Sequence, residues 1–465
     1  MTFIDKIRRI LKKRFDLISN ENLKKNLLNA LPFWLGALIS GGIAVMYAKL
    51  FALAESGTKY LYLKTGYFFL VIPPACFVLG WIIVNKYAPF ARGSGIPQVT
   101  AAIELSNPKH NYKVNALLSW KIIFIKIISS LITVFGGGVI GREGPTIQLS
   151  ASVFKKINDW LPDWYPRISK RNMIVTGAAS GLAAAFNTPL GGIVFAIEEL
   201  TKTHFSLFKS ALLTGVIIAG LTALSLLGPY LYLGYPDLNV LSPWLILAVI
   251  PLAVLTGFAG SGMGSVILYI FRRKRSFTKT NQHIMYAAVC GLIIALLGVF
   301  LSTRAMGSGR ELMVTTLFTS EKHVSWYLPI LRIAGPILTF STGASGGIFA
   351  PSLSAGASVG AAFAGWFHLN GSETNLLILC GMAGVLTSIT RSPFTSSILV
   401  LEMTNSHNVI FYIMLTALLS NLFANMVSRH AFYDVLKDQY VAEVHKSEIQ
   451  QSDTHENDAQ QNETQ

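Results

Sequence analysis

Of 465 residues, 52% are hydrophobic and 13% are charged, with a mean hydropathy of +0.50; that is about half the charged share of an ordinary soluble domain. Such a composition excludes a chain that hides one apolar core from water and makes the bilayer its solvent. Net charge is +15, but the cations flank apolar runs instead of forming a basic face, which assigns them to membrane topology and not to nucleic acid.

The chain opens on a basic segment, residues 1–29, with Lys6, Arg8, Arg9, Lys12, Lys13, Arg14, Lys24 and Lys25. No short apolar cleavage region adjoins it, so it reads as a cytoplasmic amphipathic segment and not as a secretory signal. Uncharged runs long enough to span a bilayer occur at 65–84, 172–197, 210–236, 240–271, 284–303 and 405–428. Arg272, Arg273, Lys274, Arg275 and Lys279 lie between two of these runs and, by the positive-inside rule, share the cytoplasmic side with the N-terminus. Cys76, Cys290 and Cys380 are too few and too scattered for a disulfide framework or a metal cage. The last stretch, 436–465, is expected to be a polar cytoplasmic tail without order, since Ser447 to Gln465 is rich in Gln, Asn, Asp and Glu.

Aligned with itself, the chain repeats. At an offset of 206, Lys126-Ile127 matches Arg332-Ile333, Gly141 and Pro145 match Gly347 and Pro351, and Ala151-Ser152-Val153 matches Ala357-Ser358-Val359. At 204, Gly177, Pro189 and Glu198 match Gly381, Pro393 and Glu402; at 214, Gly93-Ser94-Gly95 matches Gly307-Ser308-Gly309. Ordered anchors at nearly constant offset indicate a duplicated unit, one copy over about 30–203 and the other over about 240–428. Secondary transporters are built this way, with the substrate site between the halves. The offsets leave open whether the copies are parallel or inverted.

Three interruptions share one grammar: Gly93-Ser94-Gly95-Ile96-Pro97, Gly136 to Pro145, and Gly343 to Pro351. Glycines let backbone approach a ligand, and the proline that follows suits the first turn of a new helix, where its missing N–H is no loss. Irregular backbone at membrane depth needs partners in protein, in a cavity or in a bound ion. Several helix N-termini, each with free N–H groups and about half a positive charge, make an anion site without a full cation that would hold the ion too tightly.

These segments resemble the three signature loops of the CLC family of chloride channels and proton-coupled chloride antiporters. The likeness spans roughly 30–435 and includes Phe186-Asn187-Thr188-Pro189, Glu198-Glu199 and Leu399-Val400-Leu401-Glu402-Met403-Thr404. It implies an all-α polytopic membrane protein with an inverted repeat of tilted and re-entrant helices, forming a homodimer with one pore per subunit. The implied activity is chloride/proton antiport in the bacterial inner membrane, with chloride, protons and lipid as partners and no cofactor or metal. Position by position, the resemblance places chloride against the Ser94 hydroxyl, the Ile348 and Phe349 amides and the Tyr433 phenol, with Gly95 and Gly144 completing the set. Glu143 becomes the external gate and Glu199 the internal proton-transfer residue. A passive channel, voltage- or proton-gated, would show the same fold and the same residues.

Physical chemistry supports this reading. A carboxylate inside a dipole-lined anion site competes with the anion and loses that hold when protonated. Glu198 and Glu402 are repeat equivalents suited to packing or helix-end hydrogen bonding, whereas Glu199 is paired with Met403, an asymmetry that favours a specialised role. Lys126 and Arg332 either tune the anion potential or satisfy carbonyls. Gln98, Thr100 and Ser345 depart from the Glu, Glu and Pro common in bacterial relatives, which bears on proton wiring more than on anion binding. The absence of paired nucleotide-binding modules after residue 440 suggests a compact prokaryotic form. No phosphate-binding loop and no two-His, one-Glu helix motif occurs, which argues against an ATP-driven pump and a membrane metalloenzyme.

Overall fold

The structure is a computed structural model that describes residues 12–13, 15–17, 19–107, 110–201, 209–228 and 231–446. Most of the basic start, and the tail 447–465, lie outside the described residues. The first helix, α1 (Glu21–Thr65), begins where the Asn20 side chain accepts from the Leu23 amide, and runs unbroken for 45 residues. That is about 65 Å, twice the hydrocarbon thickness, so α1 must tilt or emerge from the bilayer. The boundary expected at residue 29 falls inside it. The uncharged run 65–84 is not one span either: a 3₁₀ turn over Gly66–Val71 separates α1 from α2 (Ile72–Tyr87), whose Pro73-Pro74 opening suits a helix start.

The first copy continues with α3 (Ile96–Leu105), α4 (Trp120–Phe135), α5 (Glu143–Trp160), α6 (Lys170–Phe186), α7 (Pro189–Phe195) with a π turn over Ala196–Thr201, and α8 (Lys209–Leu227). The second comprises α9 (Leu245–Lys274), α10 (Thr280–Phe300), α11 (Arg310–Phe318), α12 (Tyr327–Ser341), α13 (Phe349–Trp366), α14 (Gly371–Thr390), α15 (Pro393–Thr404) and α16 (Ile410–Val427). Thus α1–α8 are answered in order by α9–α16. The run 172–197, expected as a single span, is split because Asn187 takes a left-handed conformation and Pro189 restarts the chain as α7.

The repeats are inverted, and their shared axis is visible in hydrogen bonds. Gly141 and Gly347, equivalent at offset 206, each donate to the other's carbonyl, at 2.8 and 2.7 Å. Glu402 of α15 accepts from the Leu190 and Gly191 amides at the start of α7, while Glu198 after α7 accepts from the Phe394 and Thr395 amides at the start of α15. Each unit therefore caps the other's short helix, and the helix-end role expected for this pair is what the bonds describe.

The charge criterion overlooked α4, α12 and α14 as crossing or core helices. In α4 and α12 the cause is a single buried cation, Lys126 and Arg332 respectively. Lys126 Nζ donates to the Gly93 carbonyl, and Arg332 donates to Ser354 Oγ and to the carbonyls of Arg304 through Gly307. Both satisfy carbonyls of the loop ahead of a short helix, at equivalent places in the two copies. Helix α14 is buried from Thr374 to Thr390 and pairs with α13 at the centre, as α6 pairs with α5.

Beyond α16 the chain forms α17 (432–446), so the expectation of a tail without order from residue 436 is corrected. Leu436, Tyr440 and Val444 recur every four residues and are buried, a stripe that the polar average of the segment conceals. Arg92 holds α17 to the loop at Gly93, pairing with Glu443 at 2.6 Å and lying over the Tyr440 ring.

Candidate anion site

The three glycine-rich loops meet. Gly93 N donates to Ala344 O and Gly346 N to Gly93 O, while Gly141 and Gly347 exchange their pair of bonds. From this knot three helices lead away: α3 after Gly95, α5 from Glu143 and α13 from Phe349. Gly95 has φ 111°, a conformation that a side chain would strain, and a Cβ there would lie 2.7 Å from the Gly144 carbonyl. A Cβ on Gly144 would strike Ser94 Oγ, and one on Gly347 would stand 3.0 Å from the Gly144 amide. The N-termini are thus in van der Waals contact because glycine occupies each crossing. Their partial positive charges add at one buried point.

Into this point project two hydroxyls. Ser94 Oγ lies 3.5 Å from Tyr433 OH, and Tyr433 is fixed in the first turn of α17 with its ring 6.3 Å from that of Phe349. On the other side is Glu143, 1% exposed. Its Oε1 accepts from the Tyr232 hydroxyl at 3.4 Å, and Oε2 has no hydrogen-bond partner among the described residues. Ser94, Gly95, Glu143, Gly144, Ile348, Phe349 and Tyr433 therefore form one cluster. Glu199 lies on the π turn, 4% exposed, accepting from Ser392 Oγ at 2.6 Å. Tyr433 lies within Coulombic reach of both glutamates.

Two participants escaped the sequence reading. Ser392 carried a signal, since it matches Thr188 at offset 204 and precedes Pro393. Tyr232 lies in a stretch without a motif, and only tertiary contact brings it to Glu143. The departures also gain a local account. Gln98 Nε2 donates to the carbonyls of Phe90 and Arg92, which an ionised glutamate could not do. The Ser345 amide donates to Ser129 Oγ, a bond that proline would lose. Thr100 donates to the Ile96 carbonyl of its own helix.

Fold and site together define a class: polytopic membrane proteins in which an inverted duplication brings helix N-termini to one buried, hydroxyl-lined point. A family model described as Voltage gated chloride channel matches residues 75–425, and the chain belongs to that family. Similar proteins include the H(+)/Cl(-) exchange transporter ClcA of Klebsiella pneumoniae (strain 342), 30% identical over 379 residues, covering 79% of this chain and 77% of that one. The transporter of the same name from Citrobacter koseri is 28% identical over 421 residues, covering 87% of each. Among solved structures, a slow cyanobacterial Cl-/H+ antiporter has a TM-score of 0.79 at 23% identity, covering 89% of this chain and 98% of the other. A CLC-type fluoride/proton antiporter has a TM-score of 0.73 at 20% identity, with the same coverage. The structural likeness establishes the shared fold.

Proposed function

We propose that this chain exchanges chloride for protons across the bacterial inner membrane, as a homodimer with one pathway per subunit and both termini cytoplasmic. The observation that carries the proposal is the position of Glu143: a carboxylate buried among the N-termini of α5 and α13, within the site that would hold an anion. Deprotonated, it occupies the field that attracts chloride; protonated, it loses that attraction and yields the place. The Ser94 and Tyr433 hydroxyls and the Ile348 and Phe349 amides replace the hydration shell of the ion while Gly95 and Gly144 keep the backbones close. Glu199, held by Ser392, passes protons to Glu143 from the cytoplasmic side without touching chloride. The names of the ClcA relatives support the same exchange.

The test uses purified protein in liposomes loaded with high chloride and diluted into low chloride at equal pH. Chloride leaving down its gradient draws protons inward, acidifying the lumen. Glu143→Gln abolishes this proton movement and leaves chloride flux. A wild-type protein that conducts chloride with no proton component at any pH would be a passive channel, and the exchange reading would fall.

A further inference from the structure

Tyr232 belongs to no signature segment, yet it contacts Glu143 through a hydroxyl that is entirely enclosed. Its surroundings are specific. The Phe186 ring packs edge-on at 5.0 Å, the Arg310 guanidinium lies 5.2 Å from the ring centroid, and Arg310 Nε and Nη2 both donate to the Tyr232 carbonyl. The next residue, Leu233, donates its amide to the Met403 carbonyl at the end of α15. Backbone and ring are therefore fixed from several elements, and the phenol is left with Glu143 Oε1 as its hydrogen-bond partner. Charged and titratable groups facing Glu143 from the packed elements are Arg142, Glu55, Tyr47, Tyr232 and Tyr433, with Arg310 beyond Tyr232. Of these, Tyr232 supplies a hydrogen bond to Oε1.

We infer that Tyr232 is the latch of the external gate: a positioning residue whose hydroxyl holds the deprotonated Glu143 carboxylate in the closed site and is released when that carboxylate takes a proton. The inference rests on the reading of Glu143 as the gate. A donated hydrogen bond stabilises the charged form of an acid, so the latch keeps the gate shut at alkaline external pH. Ring packing alone would not do this, because phenylalanine at the same place keeps the contacts with Phe186 and Arg310.

The experiment measures chloride efflux from liposomes against external pH for wild type, Tyr232→Phe, Glu143→Gln and the double variant, each confirmed monodisperse by gel filtration. Loss of one charge-assisted bond, weakened by its 3.4 Å length, moves the alkaline fall in flux upward by about one pH unit. Tyr232→Phe then carries more chloride at high pH and couples fewer protons to it, and the double variant matches Glu143→Gln. A Tyr232→Phe profile that superimposes on wild type overturns the latch. So does a difference between the double variant and Glu143→Gln, since Tyr232 would then act without the gate. If Glu143→Gln itself keeps the wild-type pH profile and coupling, the gate assignment fails independently of Tyr232.

Discussion

Replacing Gly144 with alanine tests whether the anion site depends on backbone contact between α5 and the Ser94 loop. The added methyl would collide with Ser94 Oγ and stand 2.9 Å from the Ser94 carbonyl and 3.3 Å from Gly347 Cα. The hydroxyl can rotate away, but the carbonyl belongs to a knotted backbone and cannot. Two costs follow. Overpacking of this kind removes about 1–3 kcal/mol of stability. Turning Ser94 Oγ out of the site removes one hydrogen bond to a charged ligand, about 1.5–3 kcal/mol, or roughly 10- to 100-fold in affinity. Gly42→Ala is the matched control, because nothing lies within 4 Å of a Cβ at that position in α1; alanine there is neutral or stabilises by up to about 1 kcal/mol. Calorimetric titration of detergent-purified protein with chloride reads the affinity, and thermal unfolding reads the stability. A correctly folded Gly144→Ala protein that binds chloride within twofold of wild type would refute the role assigned to this contact.

Glu199→Gln should abolish gradient-driven proton uptake while chloride efflux persists; equal loss of both fluxes in a folded protein would make the residue structural. Lys126→Met removes the charged donor to the Gly93 carbonyl, which keeps the Gly346 amide, and should cost about 1–3 kcal/mol in unfolding free energy. A fall in chloride affinity without that loss of stability would instead make Lys126 a source of the anion potential. Glu402→Ala strips two amides at the start of α7 of their acceptor, and about 1–2 kcal/mol of destabilisation is expected from thermal unfolding. An unchanged midpoint would mean that water or another group caps α7 equally well.

What the sequence disclosed depended on how local the cause was. Glycine before proline is a backbone instruction, so Gly93 to Pro97, Gly141 to Pro145 and Gly347 to Pro351 could be read directly, and the repeat offsets tied them together. Lys126 and Arg332 concealed their helices because a charge count treats a cation as a sign of water, whereas here each is spent on carbonyls inside the protein. Helix α17 was hidden for the opposite reason: a narrow apolar stripe disappears in a polar average. Tyr232 could not have been found at all from periodicity or spacing, because its partner lies 89 residues away.

The mutual bond between Gly141 and Gly347 has a bearing on how the two halves came to differ. At the offset of that pair, Glu143 stands opposite Phe349, and at the offset of 204 Glu199 stands opposite Met403. Backbone donors can come from both copies, since an amide is present whatever the side chain. Titratable groups cannot, and both proposed proton carriers belong to the first copy. A perfectly twofold molecule would present one chemistry to each side of the membrane and have no means of telling outside from inside. By placing an acid in one copy and an apolar side chain in its twin, the duplication acquires a sense of direction without changing the scaffold that holds the anion.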